Sequence, residues 1–245
     1  MIDIKFSKDD YDKKATADIY KMYAKDLGLW NSEKIIFQKY IKPTDNILDL
    51  GCGAGRTTFG MYGMGFKNII GVDLSTSMIE NAKLINKIKN LDINFEEANA
   101  CDLQFHTDTF DVVVFSYNGL MCIPKNENRM LALKEIYRVL KKGGLFIFTA
   151  HDNNMETKHK EFWKEEKERW DKGIQNTKLW DFGDMLNENE INPSFIHIST
   201  YNETFNMLQQ TNFSLIETKM KTEICETPEI EEQFFGQTRF WIVKK

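Results

Sequence analysis

Gly51, Gly53 and Gly55 alternate directly behind an apolar run in the stretch NILDLGCGAGRTT, residues 46–58. Glycines so placed let a backbone approach a phosphate, a ribose or an amino acid where a Cβ would clash. Spacing argues against two common nucleotide loops, more firmly against the second, and leaves a nicotinamide-dependent oxidoreductase as a minor alternative. The dinucleotide fingerprint G-x-G-x-x-G wants a third glycine at position 56, and that residue is Arg56. A P-loop needs G-x-x-x-x-G-K-[ST], which the chain lacks. What is left is an acidic-x-G-x-G-x-G pattern that begins at Asp49.

Such a loop works only if its neighbours hold it at the end of a strand. Continuous apolar runs predict strands at 46–50, 68–75, 93–100, 110–117 and 145–151. Between them, helical spacing predicts helices near 55–64, 77–88 and 128–144, the last ending at a glycine C-cap behind two lysines. Residues 8–40 read as helical, with Gly28 dividing two helices. A charged stretch at 152–193 breaks the rhythm and predicts a helix followed by a loop. A strand at 194–200, a helix at 201–213 and two last strands, SLIETKMKTEI and RFWIVKK, complete the chain. Apolar strands alternating with helices make an open, doubly wound α/β fold with a mostly parallel sheet. Ligands bind such sheets beyond the carboxyl ends of the strands, which here means 49–56, 73–75, 98–102, 116–120 and 150–153.

Composition narrows the partners. The 245 residues are 42% hydrophobic and 28% charged, with a net charge of −5. That balance provides no general basic field for nucleic acid or an anionic membrane. The charged N-terminus has no apolar signal region, and no run approaches the roughly 18 to 20 apolar residues that span a bilayer. Four scattered cysteines, without a C-x-x-C pair, fit a reducing cytoplasm. His106, His159 and His197 lack metal-ligand spacing, so no metal site is expected.

With Asp73 in GVDLS, 18 residues after Gly55 and at the end of the second strand, the pattern resembles the class I S-adenosylmethionine (AdoMet)-dependent methyltransferases. The resemblance covers residues 40–150 and extends to the tail. It implies a Rossmann-like, seven-stranded sheet in one domain, with helices on both faces. Residues 1–42 would be a helical lid, 43–151 the cofactor-binding core, 152–193 an insertion covering the substrate, and 194–245 the completion of the sheet. The resemblance also implies the cofactor contacts. Asp49 would lie near the cationic amine, with Gly51, Cys52, Gly53 and Gly55 along the ribose and methionine portion. Asp73 would accept from the ribose diol, although capping the following helix is its alternative role. Leu74 and Met78 would flank the purine, Met78 being equally suited to the core. Asn99, Ala100 and Cys101 stand where family members carry Asp-Ala, with Asp102 the competitor for the adenine. Ser116 would offer backbone near the methionine amine.

Methyl transfer is an in-line displacement in which positioning supplies much of the rate, and a base is needed only for a protonated nucleophile. His151 is the candidate base, because it ends the fifth strand and precedes Asp152; lining the pocket without titrating is its other role. Tyr117 and Asn118 are expected at the acceptor, as are Tyr11 and Tyr20 from the lid, and each tyrosine could equally be core. The fourth strand ends SYNGLMCIP, without the Asn/Asp-Pro-Pro-aromatic signature of methyltransferases acting on planar amino groups. Phe162, Trp163, Trp170, Trp180 and Phe182 stock the insertion for a lid core or a dimer contact. The reading is methyl transfer to a small molecule, with S-adenosylhomocysteine (AdoHcy) as product, by a monomer or homodimer. The alternatives are a tRNA- or protein-directed enzyme and a non-catalytic AdoMet-binding protein.

Overall fold

A computed structural model describes residues 2–152, 160–186, 195–226 and 238–245. The chain opens with three helices, α1 (Ile4–Tyr11), α2 (Lys14–Asp26) and α3 (Asn31–Tyr40). Then strands and helices alternate: β1 (Ile47–Leu50), α4 (Arg56–Gly63), β2 (Ile69–Asp73), α5 (Thr76–Ile88), β3 (Asn94–Glu97) and β4 (Phe110–Phe115). A 3₁₀ turn at Gly119–Cys122 leads to α6 (Asn126–Val139) and β5 (Leu140–His151). The remaining elements are α7 (Lys160–Asp171), β6 (Asp184–Leu186), β7 (Phe195–His197), α8 (Tyr201–Gln210), β8 (Ser214–Met220), α9 (Lys221–Ile224) and β9 (Thr238–Lys244).

Seven strands form one sheet in the order β3-β2-β1-β4-β5-β9-β8. The first five run parallel, while β9 pairs antiparallel with both β5 and β8. Two apolar cores sandwich the sheet. Ile47, Val112, Val114 and Ile147 pack toward α3, α4 and α5, while Leu48, Val113, Phe146 and Phe148 pack toward α6 and α8. Covered on both faces, these strands favour apolar residues at successive positions, with Asp49 a buried exception in β1. That is why they read as continuous runs, and each fully buried aliphatic side chain contributes roughly 1.5–3 kcal/mol.

The helices start where side chains satisfy their first amides. Ser75 accepts from the Met78 amide at 3.2 Å to open α5, and Thr200 accepts from Glu203 to open α8. Arg56, which occupies the place of the dinucleotide glycine, reaches back from α4 to α3. It meets Glu33 with two hydrogen bonds of 2.7 Å, and both side chains are buried. The same guanidinium donates to the Gly28 carbonyl at 2.8 Å, which fixes the break between α2 and α3.

Four expectations need correction. The helix expected over 128–144 ends at Val139 without a glycine C-cap. Leu140 pairs with Phe110 in the sheet, Lys141 binds Asp111 at 2.8 Å, and the Gly143 amide donates to the Lys245 carbonyl, so tertiary pairing wins over helical periodicity. The strand expected at 194–200 is confined to Phe195–His197 and pairs with the unforeseen β6, outside the large sheet. SLIETKMKTEI leaves the sheet at Met220 and turns into α9. The strand expected at 93–100 is only four residues long, Asn94–Glu97. Residues 153–159 and 187–193 of the expected insertion, His159 among them, lie outside the described residues. No helix among the described residues is long and apolar enough to cross a membrane.

Candidate functional site

The carboxyl ends of β1, β2 and β4 open onto a cleft, into whose wall they send Leu50, Asp73 and Phe115. The glycine loop forms its floor. Gly51 has φ +64°, and a Cβ there would sit 2.5 Å from the Phe115 ring, so both conformation and space demand glycine. Gly53 has φ +56° with ordinary space around it, so there the requirement is conformational.

Asp73 ends β2 and fastens the loop. Its Oδ2 accepts from the Gly53 amide at 2.8 Å and its Oδ1 from the Ser75 amide at 2.9 Å. Burial pushes the carboxyl above its ordinary range, and these two bonds partly hold it down. Asp49 lies beneath the loop rather than on the cleft. Its Oδ2 accepts from the Thr58 hydroxyl at 2.5 Å, and its Oδ1 has no hydrogen-bond partner among the described residues. Burial raises its pKa to about 7 against the opposing Thr58 bond.

Of the twelve expected cofactor residues, nine line the cleft: Gly51, Gly53, Asp73, Leu74, Met78, Asn99, Ala100, Cys101 and Ser116. Asp49, Cys52 and Gly55 do not. Asn99 lines the wall and its Oδ1 accepts from the Cys101 amide at 2.9 Å, whereas Asp102 stays off the cleft. Tyr11, Tyr20 and Tyr117 line it as well. Asn118 and His151 do not; they meet each other instead, with Nδ2 and Nε2 3.1 Å apart.

Tyr117 and Asn118 form a left-handed turn, with φ of 59° and 62°. Such a conformation is costly for a bulky residue. It is held by the Asn118 amide, which donates to the Thr149 hydroxyl at 3.0 Å, and by Gly119, where a Cβ would meet Phe115 at 2.0 Å.

Several lining residues carry no sequence signal for a site. Ile4 and Ser7 come from α1, Phe115 from β4, and Cys122, Ile123 and Pro124 from the turn beyond it. The apolar GLMCIP run was the available hint for the last group. α1 crosses the cleft as a strap anchored at both ends. Near one end Asp12 accepts from the Ser75 hydroxyl at 2.6 Å and the Ser77 amide at 3.0 Å, and Lys8 donates to Thr76 at 2.9 Å. At the other, Trp180 donates its Nε1–H to the Ile2 carbonyl at 2.6 Å, and the Ile2 amide donates to the Lys178 carbonyl at 3.2 Å.

The insertion's other aromatics pack on one another, Trp163 and Trp170 both meeting the Phe182 ring. No described insertion residue lines the cleft. Behind them His197 is fully buried, with Nδ1 2.8 Å from Asp184 and Nε2 2.8 Å from Glu203. Burial alone would lower its pKa, but the two carboxylates raise it overall. Among the described residues, no group of three His, Cys, Asp or Glu side chains is arranged so that it could hold a metal ion.

Known proteins share this arrangement. Residues 47–144 match the family model described as a methyltransferase domain. The chain is 36% identical over 125 residues to a demethylmenaquinone methyltransferase of Symbiobacterium thermophilum, covering 48% of this chain and 47% of that one. It is 28% identical over 123 residues to an eEF1A lysine and N-terminal methyltransferase of Danio rerio, covering 49% of this chain and 18% of that one. The matched region is thus less than half the length of either relative. An S-adenosylmethionine-dependent methyltransferase of Methanosarcina mazei shares the fold, with a TM-score of 0.70 at 22% identity over 89% of this chain and 98% of that one. Residues 47–144 thus match a methyltransferase domain, and they carry the glycine loop at the end of β1 within a sheet whose fold a known S-adenosylmethionine-dependent methyltransferase shares.

Proposed function

We propose that the protein transfers a methyl group from AdoMet to a small-molecule acceptor. The cleft suits the donor in its lining, which is mostly apolar with a few polar groups. Gly51 and Gly53 line it with bare backbone, and Asp73 offers carboxylate lone pairs to a ribose diol. Leu74, Met78 and Ala100 would flank the purine, Asn99 would accept from its amino group, and Ser116 would face the methionine end. AdoMet supplies a methyl group already activated by its positively charged sulfur. Asp49, just beneath the loop, biases the site toward cationic ligands.

The observation that carries the small-molecule reading is the strap. α1 places Ile4, Ser7 and Tyr11 in the cleft wall and is tied down on both sides. A covered cleft admits a small acceptor more readily than a folded macromolecule. A protein acceptor is the second reading, favoured by the eEF1A lysine methyltransferase among the relatives. In either case residues 1–245 act as one domain, with 1–42 as a lid that Lys178 and Trp180 brace. The four cysteines are free, which suits a reducing cytoplasm.

Calorimetry with AdoHcy and NAD tests the donor. AdoHcy should bind, and tight NAD binding without AdoHcy binding would overturn the reading. Incubation with methyl-labelled AdoMet and a cell extract, separated into small molecules, RNA and protein, tests the acceptor. Label confined to protein or RNA would overturn the small-molecule reading.

A further inference from the structure

We infer that the methyl acceptor is an amine, and that Tyr11, Tyr20 and Tyr117 form the subsite that receives its positive charge; this rests on the methyl-transfer reading above. The three rings line one cleft. Tyr20 stands at the centre, 6.0 Å from Tyr11 at an interplanar angle of 71° and 6.1 Å from Tyr117 at 73°. Nearly perpendicular rings make an aromatic corner, and the negative π faces of such rings attract ammonium groups. The backbone strain at Tyr117 fits a side chain whose position matters for function.

The charge inventory of the cleft points the same way. Among the described residues lining it, Asp73 is the only Asp, Glu, Lys, Arg or His. A phosphate or carboxylate acceptor would give up its water and find no cation in the wall. Two cations come near, but both are engaged elsewhere. Arg56 lies behind Tyr117, 5.7 Å from its ring centroid, and is neutralised by Glu33. Lys8 is bound to Asp12 at 2.8 Å.

The inventory of bases is equally informative. Burial holds the Tyr11 and Tyr20 phenols and the Cys122 thiol in their protonated forms. Both oxygens of Asp73 already accept from backbone amides. A hydroxyl acceptor has to lose its proton as it reacts, and this wall offers little to take it. An amine that binds as its free base has no such need, and the aromatic corner receives the positive charge as it develops on nitrogen. Its nitrogen lone pair forms the N–C bond while the C–S bond of the sulfonium donor breaks, the bonding pair remaining on sulfur. The nitrogen then carries the positive charge and sheds a proton to water afterwards. Charge passes from sulfur to nitrogen with no net change, so a neutral aromatic wall serves both ends of the step.

Three probes of similar shape, benzyltrimethylammonium, benzyl alcohol and benzoate, can be titrated calorimetrically into the AdoHcy complex. The ammonium probe should bind at least about tenfold more tightly than benzoate. Tyr20→Leu and Tyr117→Leu should each weaken ammonium binding by about three- to thirtyfold, while Tyr20→Phe keeps it. Should a leucine variant fail to fold, fluorinated phenylalanine at position 20 preserves the ring's shape and weakens its π face, and should weaken ammonium binding in proportion. Benzoate binding as tightly as the ammonium probe, or ammonium affinity unmoved by both the leucine and the fluorinated variants, overturns the inference. Absence of AdoHcy binding in the same titrations would sink the methyl-transfer reading itself; AdoHcy binding with a preference for benzoate sinks the amine alone.

Discussion

The carboxylate of Asp73 holds the amide of Gly53 at 2.8 Å and the amide of Ser75 at 2.9 Å, so one side chain ties the glycine loop to the start of α5. Asp73 is therefore a structural clamp as well as the candidate ribose ligand. Asp73→Ala leaves two backbone donors without their acceptor, at about 1–3 kcal/mol for each one left unsatisfied. The variant should lose AdoHcy affinity at least about tenfold and melt several degrees lower. Asp73→Asn, which keeps one acceptor oxygen, should fall between. Calorimetry and thermal denaturation together check this, and unchanged affinity in the alanine variant would refute the ligand role.

Asp49 gives the fold a pH signature. Its pKa rises from 3.8 to about 7 because it is buried with one oxygen unpartnered. The folded state then binds more protons than the unfolded state between those values, so this group's contribution to stability falls as pH climbs from about 4 to 7. Asp49→Asn cannot ionise and should remove that fall. Its melting temperature relative to wild type should rise by at least about 4 °C between pH 5 and pH 8. A constant offset across the range counts against a carboxyl that titrates near neutrality.

Arg56 and Glu33 are both buried and doubly hydrogen-bonded. Removing one partner of such a pair strands the other charge, at about 3–5 kcal/mol. Glu33→Leu alone should therefore destabilise strongly in urea unfolding. Glu33→Leu combined with Arg56→Met removes both charges and should recover most of the loss. If the double variant is as unstable as the sum of the two singles, the pair is not coupled as the geometry indicates.

His197 faces a carboxylate at each ring nitrogen, and carboxylates only accept, so the arrangement favours the imidazolium. Arg129, buried nearby and bound to Asp181 at 2.9 Å, opposes that charge but does not cancel it. Because the folded pKa lies above the ordinary 6.5, this stabilisation is complete below 6.5 and is lost as pH rises through the folded value. Amide exchange in the β6–β7 pair, corrected for its intrinsic pH dependence, should rise as pH climbs through the raised pKa of His197. In His197→Gln it should be fast throughout, and exchange that ignores pH in the wild type would reject the imidazolium.

The sheet and the loop were legible in the sequence for physical reasons. β1 and β4 are buried on both faces, which forces continuous apolar runs, and Gly51 sits where only glycine fits. Asp73 and Asn99 were legible because strand ends in this fold converge on one edge. The rest depended on partners distant in sequence. Nothing local announces that Leu140 pairs with Phe110, that Glu33 waits for Arg56, or that Asn118 meets His151. Ile4 and Ser7 reach the cleft only because α1 is strapped across it, and that strapping depends on Trp180.

The clasp between Trp180 and Ile2 carries the kinetic consequence of the strap. The indole donates to a backbone carbonyl at 2.6 Å, and Lys125 lies 3.8 Å over its ring. Trp180→Phe keeps most of the ring contact and removes the donor, at a net cost of about 0.5–1.5 kcal/mol. If ligand leaves only when α1 lifts, the variant should release AdoHcy about two- to tenfold faster. The loss is in the closed strap and not in the cleft wall, so direct contacts to AdoHcy stay the same. Stopped-flow displacement of AdoHcy measures the rate. Release as slow as in wild type would show that ligand escapes without opening the strap at this end.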